Sequence, residues 1–110
     1  MLGGVVIPLY SPGKLLPLFE LGILGHMNSQ HQKTLQAIFE NPVRANIVWA
    51  DIEGMLVACG AEISEGRGSR VRIALRGVRS VFHRPHPHKE TDKGAVVSMR
   101  RFLIETGILP

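Results

Sequence analysis

The chain is almost without cysteine. Cys59 is the only one in 110 residues, which excludes an internal disulfide framework and leaves no cysteine pair for a zinc knuckle. That usage fits a reducing compartment, and a cytoplasmic location is expected. Aromatic residues amount to only 5%, so the core must be built mainly from aliphatic side chains. Acidic residues are nearly missing from one long stretch: between Gly66 and Arg101 only Glu90 and Asp92 carry negative charge. Long apolar runs are missing as well. Residues 1–26 are apolar in composition, but Pro8, Pro12, Pro17 and several glycines interrupt them, and Lys14 and Glu20 add charge. No run approaches the roughly 20 residues that a membrane-spanning helix needs. A secretory leader would want a basic front and a clean apolar middle, and the segment has neither. No membrane partner is expected.

What the chain does have is apolar material for one domain: 45% of residues are hydrophobic and 20% charged, unlike a disordered chain. Its net charge is +4 with a pI near 9.8, which favours a polyanionic partner. The stretch from Gly66 to Arg101 holds ten basic residues and a net charge of +8, while the remainder is net −4. Such a split describes one basic face on a mildly acidic body. Nine of the thirteen cations are arginine, whose planar fork suits phosphate oxygens. An ordinary solvated surface is the competing explanation.

Residues 1–26 differ so much from the rest of the chain that they are expected to be an appendage outside the fold, with residues 27–110 as the folded domain. Met27 is then a second candidate start. Asn28 or Ser29 caps a short helix with Leu35, Ile38 and Phe39 on one face, ended by Asn41-Pro42. A second helix is predicted from about Trp49 to Cys59, with Ile52, Leu56 and Cys59 on one face and Gly60 as its stop. Ala61 to Ser64 reads as a strand, and Gly66-Arg67-Gly68 as a turn. Arg70-Val71-Arg72-Ile73-Ala74-Leu75 alternates basic and apolar residues, the pattern of a strand with one wet face. Arg76-Gly77 turns tightly into a third strand, Val78 to Phe82. His83 to Thr91 contains Pro85 and Pro87 and reads as a loop. Asp92 caps a last helix, Lys93 to Thr106, whose buried stripe is expected to be Val96, Met99, Leu103 and Ile104. This order predicts an α+β fold, a three-stranded antiparallel sheet packed on helices through one face. Arg70 and Arg72 then point to the opposite face, and the last helix adds Arg100 and Arg101.

The residue types for chemistry are concentrated in His83-Arg84-Pro85-His86-Pro87-His88. Two prolines hold this segment in a restricted, extended loop. Histidine can take a proton from a ribose 2′-OH or give one to a leaving 5′-oxygen, and arginine can stabilise the charge that develops between them. Imidazole is also a common metal ligand, although no cysteine or carboxylate stands immediately beside these histidines and no helical His-x3-His pair occurs. A histidine-bearing surface loop without chemistry is the third possibility.

The run from Trp49 to Gly60, the turn Gly66-Arg67-Gly68-Ser69-Arg70, the strand Arg79-Ser80-Val81-Phe82 and the closing helix from Gly94 to Ile108 resemble, in order and spacing, the HicA toxin family. The resemblance covers about Thr34 to Leu109. It implies a double-stranded-RNA-binding-domain-like fold and ribosome-independent cleavage of mRNA; with the histidines and arginine above, an endoribonuclease that uses no metal or cofactor and inhibits translation is expected. It also implies a HicB-like antitoxin protein as partner. Members of the family usually carry a catalytic histidine just after the Gly-Ser turn, and here that position is Arg70. A guanidinium stays protonated at physiological pH and cannot serve as a general base. The candidate catalytic residues are therefore His83 and His86. The candidate RNA-binding residues are Arg67, Ser69, Arg70, Arg72, Arg84, Arg100 and Arg101. Because the second and third strands are hairpin neighbours, His83 can lie near Arg70 in space; geometry alone decides that, and the sequence does not supply it. The alternative is a catalytically silent RNA-binding or antitoxin-binding module with the same fold.

Overall fold

A computed structural model describes residues 27–110; the expected appendage, residues 1–26, lies outside the described residues. Helix α1 (Ser29–Ile38) is capped by Asn28, whose side-chain oxygen accepts from the His31 N–H at 2.8 Å. It buries Thr34, Leu35, Ala37 and Ile38. A two-residue strand, β1 (Ile47–Val48), runs directly into helix α2 (Trp49–Ala58), which buries Trp49, Ile52, Met55 and Leu56. Strands β2 (Glu62–Glu65), β3 (Arg70–Leu75) and β4 (Val78–His83) then form an antiparallel meander in the order β2-β3-β4. A second short strand, β5 (Glu90–Thr91), pairs back with β1, and helix α3 (Lys93–Thr106) comes after it. Asp92 caps α3 by accepting from the Ala95 N–H at 2.8 Å. The class is α+β, and one face of the sheet carries the helices.

The β3–β4 connection is a two-residue turn in which both central residues, Arg76 (φ 52°) and Gly77 (φ 81°), have positive φ. That geometry matches the right-handed twist of the flanking strands. A non-glycine residue in this region is strained, and Arg76 is tied down: its Nη1 donates to the Thr106 carbonyl at 3.1 Å, at the end of α3. Val71, Ile73, Leu75 and Phe82 form the sheet's share of the core. The Phe82 ring lies between Trp49 of α2 and Phe102 of α3, with centroids 5.9 Å away on both sides. Three of the few aromatics are thus spent where the sheet meets two helices.

Arg100 joins α3 to α1. Its Nε and Nη2 donate to the Ile38 and Glu40 carbonyls at 2.9 and 2.7 Å, and its Nη1 donates to Asn41 Oδ1 at 3.2 Å. These carbonyls belong to the end of α1, where helical backbone acceptors lack internal partners. Cys59 is buried beside the Met27 and Met55 sulfurs, and burial pushes its thiol up against the opposing charge of Arg76, away from nucleophilic use. Among the described residues no helix is long and apolar enough to cross a membrane.

Several details depart from the sequence-based expectation. The β1–β5 ladder stands partly where a loop is expected; two residues per strand are too short for periodicity to register, and buried Ile47 opposite buried Thr91 holds them. β4 runs one residue further and includes His83. In α3 the buried stripe takes Phe102, whereas Ile104 is 54% exposed. Ile104 stands one position past Leu103, about 100° further around the helix. Leu103→Ala should therefore cost about 2–5 kcal/mol of stability and Ile104→Ala no more than about 0.5 kcal/mol, measured by urea unfolding. Comparable losses for the two would place the helix in a different rotation.

Candidate nucleic-acid interface

The alternation that buries Val71, Ile73 and Leu75 sends Arg70 and Arg72 to the other face of the sheet, where both are exposed. β4 contributes Arg79, Val81 and His83 to that face, all exposed. The register sets Arg70 opposite His83, Arg72 opposite Val81 and Ala74 opposite Arg79. Beyond the last rung the Arg84 N–H donates to the Ser69 carbonyl at 2.9 Å. Ser69–Arg84 is thus a hydrogen-bonded rung, and the alternation makes Arg70–His83 the closer, non-hydrogen-bonded kind, with Cα atoms about 4.5 Å apart. Direct cross-strand pairing decides the question left open by the sequence and sets His83 beside Arg70.

The turn before β3 shapes the same region. The Gly66 N–H donates to the Arg70 carbonyl at 2.9 Å and the Arg70 N–H to the Arg67 carbonyl at 3.0 Å. Gly68 has φ +60° in this turn, and a Cβ on Gly66 would come within 3.0 Å of the Arg70 Cβ. The tight turn leaves Gly66, Arg67, Arg70, Arg72 and Val81 around a depression of about 320 Å³. A shallower trough of about 530 Å³ continues along the sheet past Ser64, Arg72, Ala74, Arg79 and Val81. Arg72 is partly held, its Nη1 donating to the Glu65 carbonyl at 2.8 Å. Ser69 is exposed at the turn, and His86 is exposed in the loop after β4.

Two of the expected RNA-binding arginines are occupied elsewhere. Arg84 comes directly after His83, so strand alternation turns it to the helix side of the sheet. Its Nε and Nη2 donate to the two oxygens of Glu53 at 2.7 and 3.2 Å, and its Nη1 to both oxygens of Glu65 at 2.7 and 2.9 Å. A phosphate would have to displace a carboxylate to reach this guanidinium. Hydrogen bonds to Glu53 and then Glu65 push its already high pKa further up. Arg100 is likewise spent, on the end of α1. Arg101 is exposed, but on α3, in the layer on the other side of the sheet from Arg70. Sequence reasoning passes over Arg79, although the period of two that selects His83 and Val81 also selects Arg79. It passes over Glu53 and Glu65 as well; an acid at the inward position two residues after Ile63 is the available signal for Glu65. Among the described residues no group of three or more His, Cys, Asp or Glu side chains is arranged to hold a metal ion.

The arrangement is that of a small α+β domain with an exposed arginine face, one histidine at its rim and a helix-covered core behind it. The family model described as HicA toxin of bacterial toxin-antitoxin matches residues 49–108, more than half of the chain, and the chain belongs to the HicA toxin family. It is thereby a toxin of a toxin–antitoxin system. No curated protein and no solved structure matches it. The matched region takes in α2, the sheet, the His/Pro loop and α3.

The Glu53–Arg84 pair has a pH signature. Burial alone pushes the Glu53 carboxyl up, but hydrogen bonds from Arg84 and Trp49 and the charge of Arg84 together outweigh it and hold the group below its ordinary value. A depressed carboxylate stabilises the fold above the unfolded-state pKa, about 4.3 for glutamate, and that contribution is lost as pH falls through the folded value. The urea midpoint of the wild type should drop on acidification below about pH 4.3, and Glu53→Gln should flatten that limb. Identical acid limbs for the two proteins would mean that Glu53 is not held by Arg84 in solution.

Proposed function

We propose that the protein is a metal-independent endoribonuclease that cleaves mRNA and so inhibits translation, restrained by a HicB-like antitoxin protein in the cytoplasm. The observation that supports this most directly is the Arg70–His83 cross-strand pair on the exposed sheet face, beside the depression lined by Arg67, Arg70 and Arg72. Cleavage by the neighbouring 2′-OH needs a group to take its proton, a cation for the charge on the phosphorus centre and a donor for the leaving oxygen. His83 takes the 2′-OH proton as that oxygen attacks phosphorus; the P–O5′ bond breaks, and His86 protonates the departing 5′-oxygen. The products are a 2′,3′-cyclic phosphate and a 5′-OH. Arg70 contributes charge rather than basicity, so His83 takes the work of the histidine that family members carry at position 70. Arg67, Ser69, Arg72 and Arg79 hold the phosphates on either side, and Arg101 reaches RNA that extends past the sheet edge.

The experiment is cleavage of RNA in EDTA by the wild type and by His83→Ala. The wild type should leave a 2′,3′-cyclic phosphate end, and the variant should lose about 100- to 10,000-fold in rate while keeping its melting transition. Activity abolished by EDTA would give the loop to a metal. RNA that binds but stays intact would leave a catalytically silent RNA-binding or antitoxin-binding module. Binding has its own check. Replacing Arg70 and Arg72 together should lower affinity across RNA sequences and make its salt dependence shallower, because fewer counterions are released. An unchanged slope would make the face an ordinary solvated surface.

A further inference from the structure

We propose that Arg84 is a positioning residue that clasps the open end of the β3–β4 ladder and so keeps Arg70 and His83 paired, a role that rests on the nuclease reading only for its effect on catalysis. The ladder needs an anchor at this end. The Arg67 carbonyl, next in line on that segment, is already taken by the Arg70 N–H in the turn, so the bond from Arg84 to the Ser69 carbonyl is the last rung between these two chain segments. Strand ends held by a single terminal bond fray, and His83 stands immediately before that bond.

The side chain of Arg84 supplies what the backbone lacks. One guanidinium joins Glu53 of α2 to Glu65 of β2, with all three of its nitrogens donating. Glu53 is held in turn by the indole N–H of Trp49, and the Trp49 ring packs on Phe82. The end of β4 is therefore bound to the helix layer and to the far strand of the sheet through one residue. The two arms differ in strength. The Glu65 side chain is 68% exposed and Glu53 only 20%, so the Glu53 arm is less screened and carries more of the clasp. A phosphate-holding role for Arg84 would use the same donors, which makes the two roles exclusive and separable.

The test uses the full chain with Arg84→Ala, Arg84→Lys and Glu53→Gln, the last two as milder changes that keep most of the side-chain volume. Two readouts need no activity: exchange of the residue-84 amide and the Hα–Hα contact between residues 70 and 83 by NMR. Arg84→Ala should speed that exchange about tenfold or more and weaken the contact, with the two milder variants between it and the wild type. Binding of a short mixed-sequence RNA oligonucleotide should keep its salt slope in all three. In cleavage, kcat should fall and KM stay nearly constant, with partial rescue in Arg84→Lys. The proposal is overturned if Arg84→Ala makes the salt slope shallower, or if Glu53→Gln tightens RNA binding by releasing the guanidinium. It is equally overturned if exchange and the Hα contact do not change. If the wild type cleaves no RNA, the nuclease reading fails, and the exchange and NMR arms still decide the clasp.

Discussion

The alternation of arginine with aliphatic residues along β3 commits the whole sheet to one buried face, and the other parts of the molecule depend on that commitment. Val71, Ile73 and Leu75 each gain about 1.5–3 kcal/mol from full burial, while burying Arg70 or Arg72 unpaired would cost several kcal/mol per charge. Both terms favour the same side, so the strand has a single acceptable orientation. The helices must then cover the aliphatic face, and the opposite face is left cationic. The cationic face is the complement of the core.

Arginine serves two purposes here, and position decides which. On the exposed face, Arg67, Arg70 and Arg79 are left to solvent, with Arg72 only partly held by the Glu65 carbonyl. Arg76, Arg84 and Arg100 instead work inside the structure. Arg76 reaches the end of α3, Arg84 joins α2 to β2, and Arg100 takes the carbonyls at the end of α1. Each holds a helix by its polar parts, where an aliphatic core with few aromatics offers little directional contact. A planar fork with five donors can satisfy several acceptors at once, which a lysine cannot do. The net charge of the chain therefore overstates the charge available to a polyanion.

The main elements are legible in the sequence because their signals are local. The caps Asn28 and Asp92, the β3 alternation and the Arg76-Gly77 turn each announce themselves within a few residues. The facing of Arg70 follows from that alternation, but its pairing with His83 comes from the hairpin geometry, in which a two-residue turn fixes the rungs on either side of it. What stays hidden depends on tertiary contact. The β1–β5 ladder has no pattern of its own, and nothing near Arg84 in the chain signals Glu53, 31 positions away. The phosphate-type roles expected for Arg84 and Arg100 rest on residue type, which is the same for a clamp and for a ligand. The rotation of α3 differs from expectation for a similar reason: Phe102 and Ile104 flank Leu103 with similar hydrophobicity, and only packing against Phe82 selects between them.

The β3–β4 turn carries a consequence for how insertions and deletions are tolerated. With only Arg76 and Gly77 between the strands, and Arg76 fastened to α3, the hairpin has no slack with which to absorb an altered length. A single residue added to or removed from either strand between this turn and His83 would invert the facing of everything beyond it. Imidazole and guanidinium would be driven toward the core, and Phe82 out of it. Length drift in this segment therefore disrupts the sheet face and the core together, whereas a change of length between Pro85 and His88, outside the ladder, turns no strand residue over.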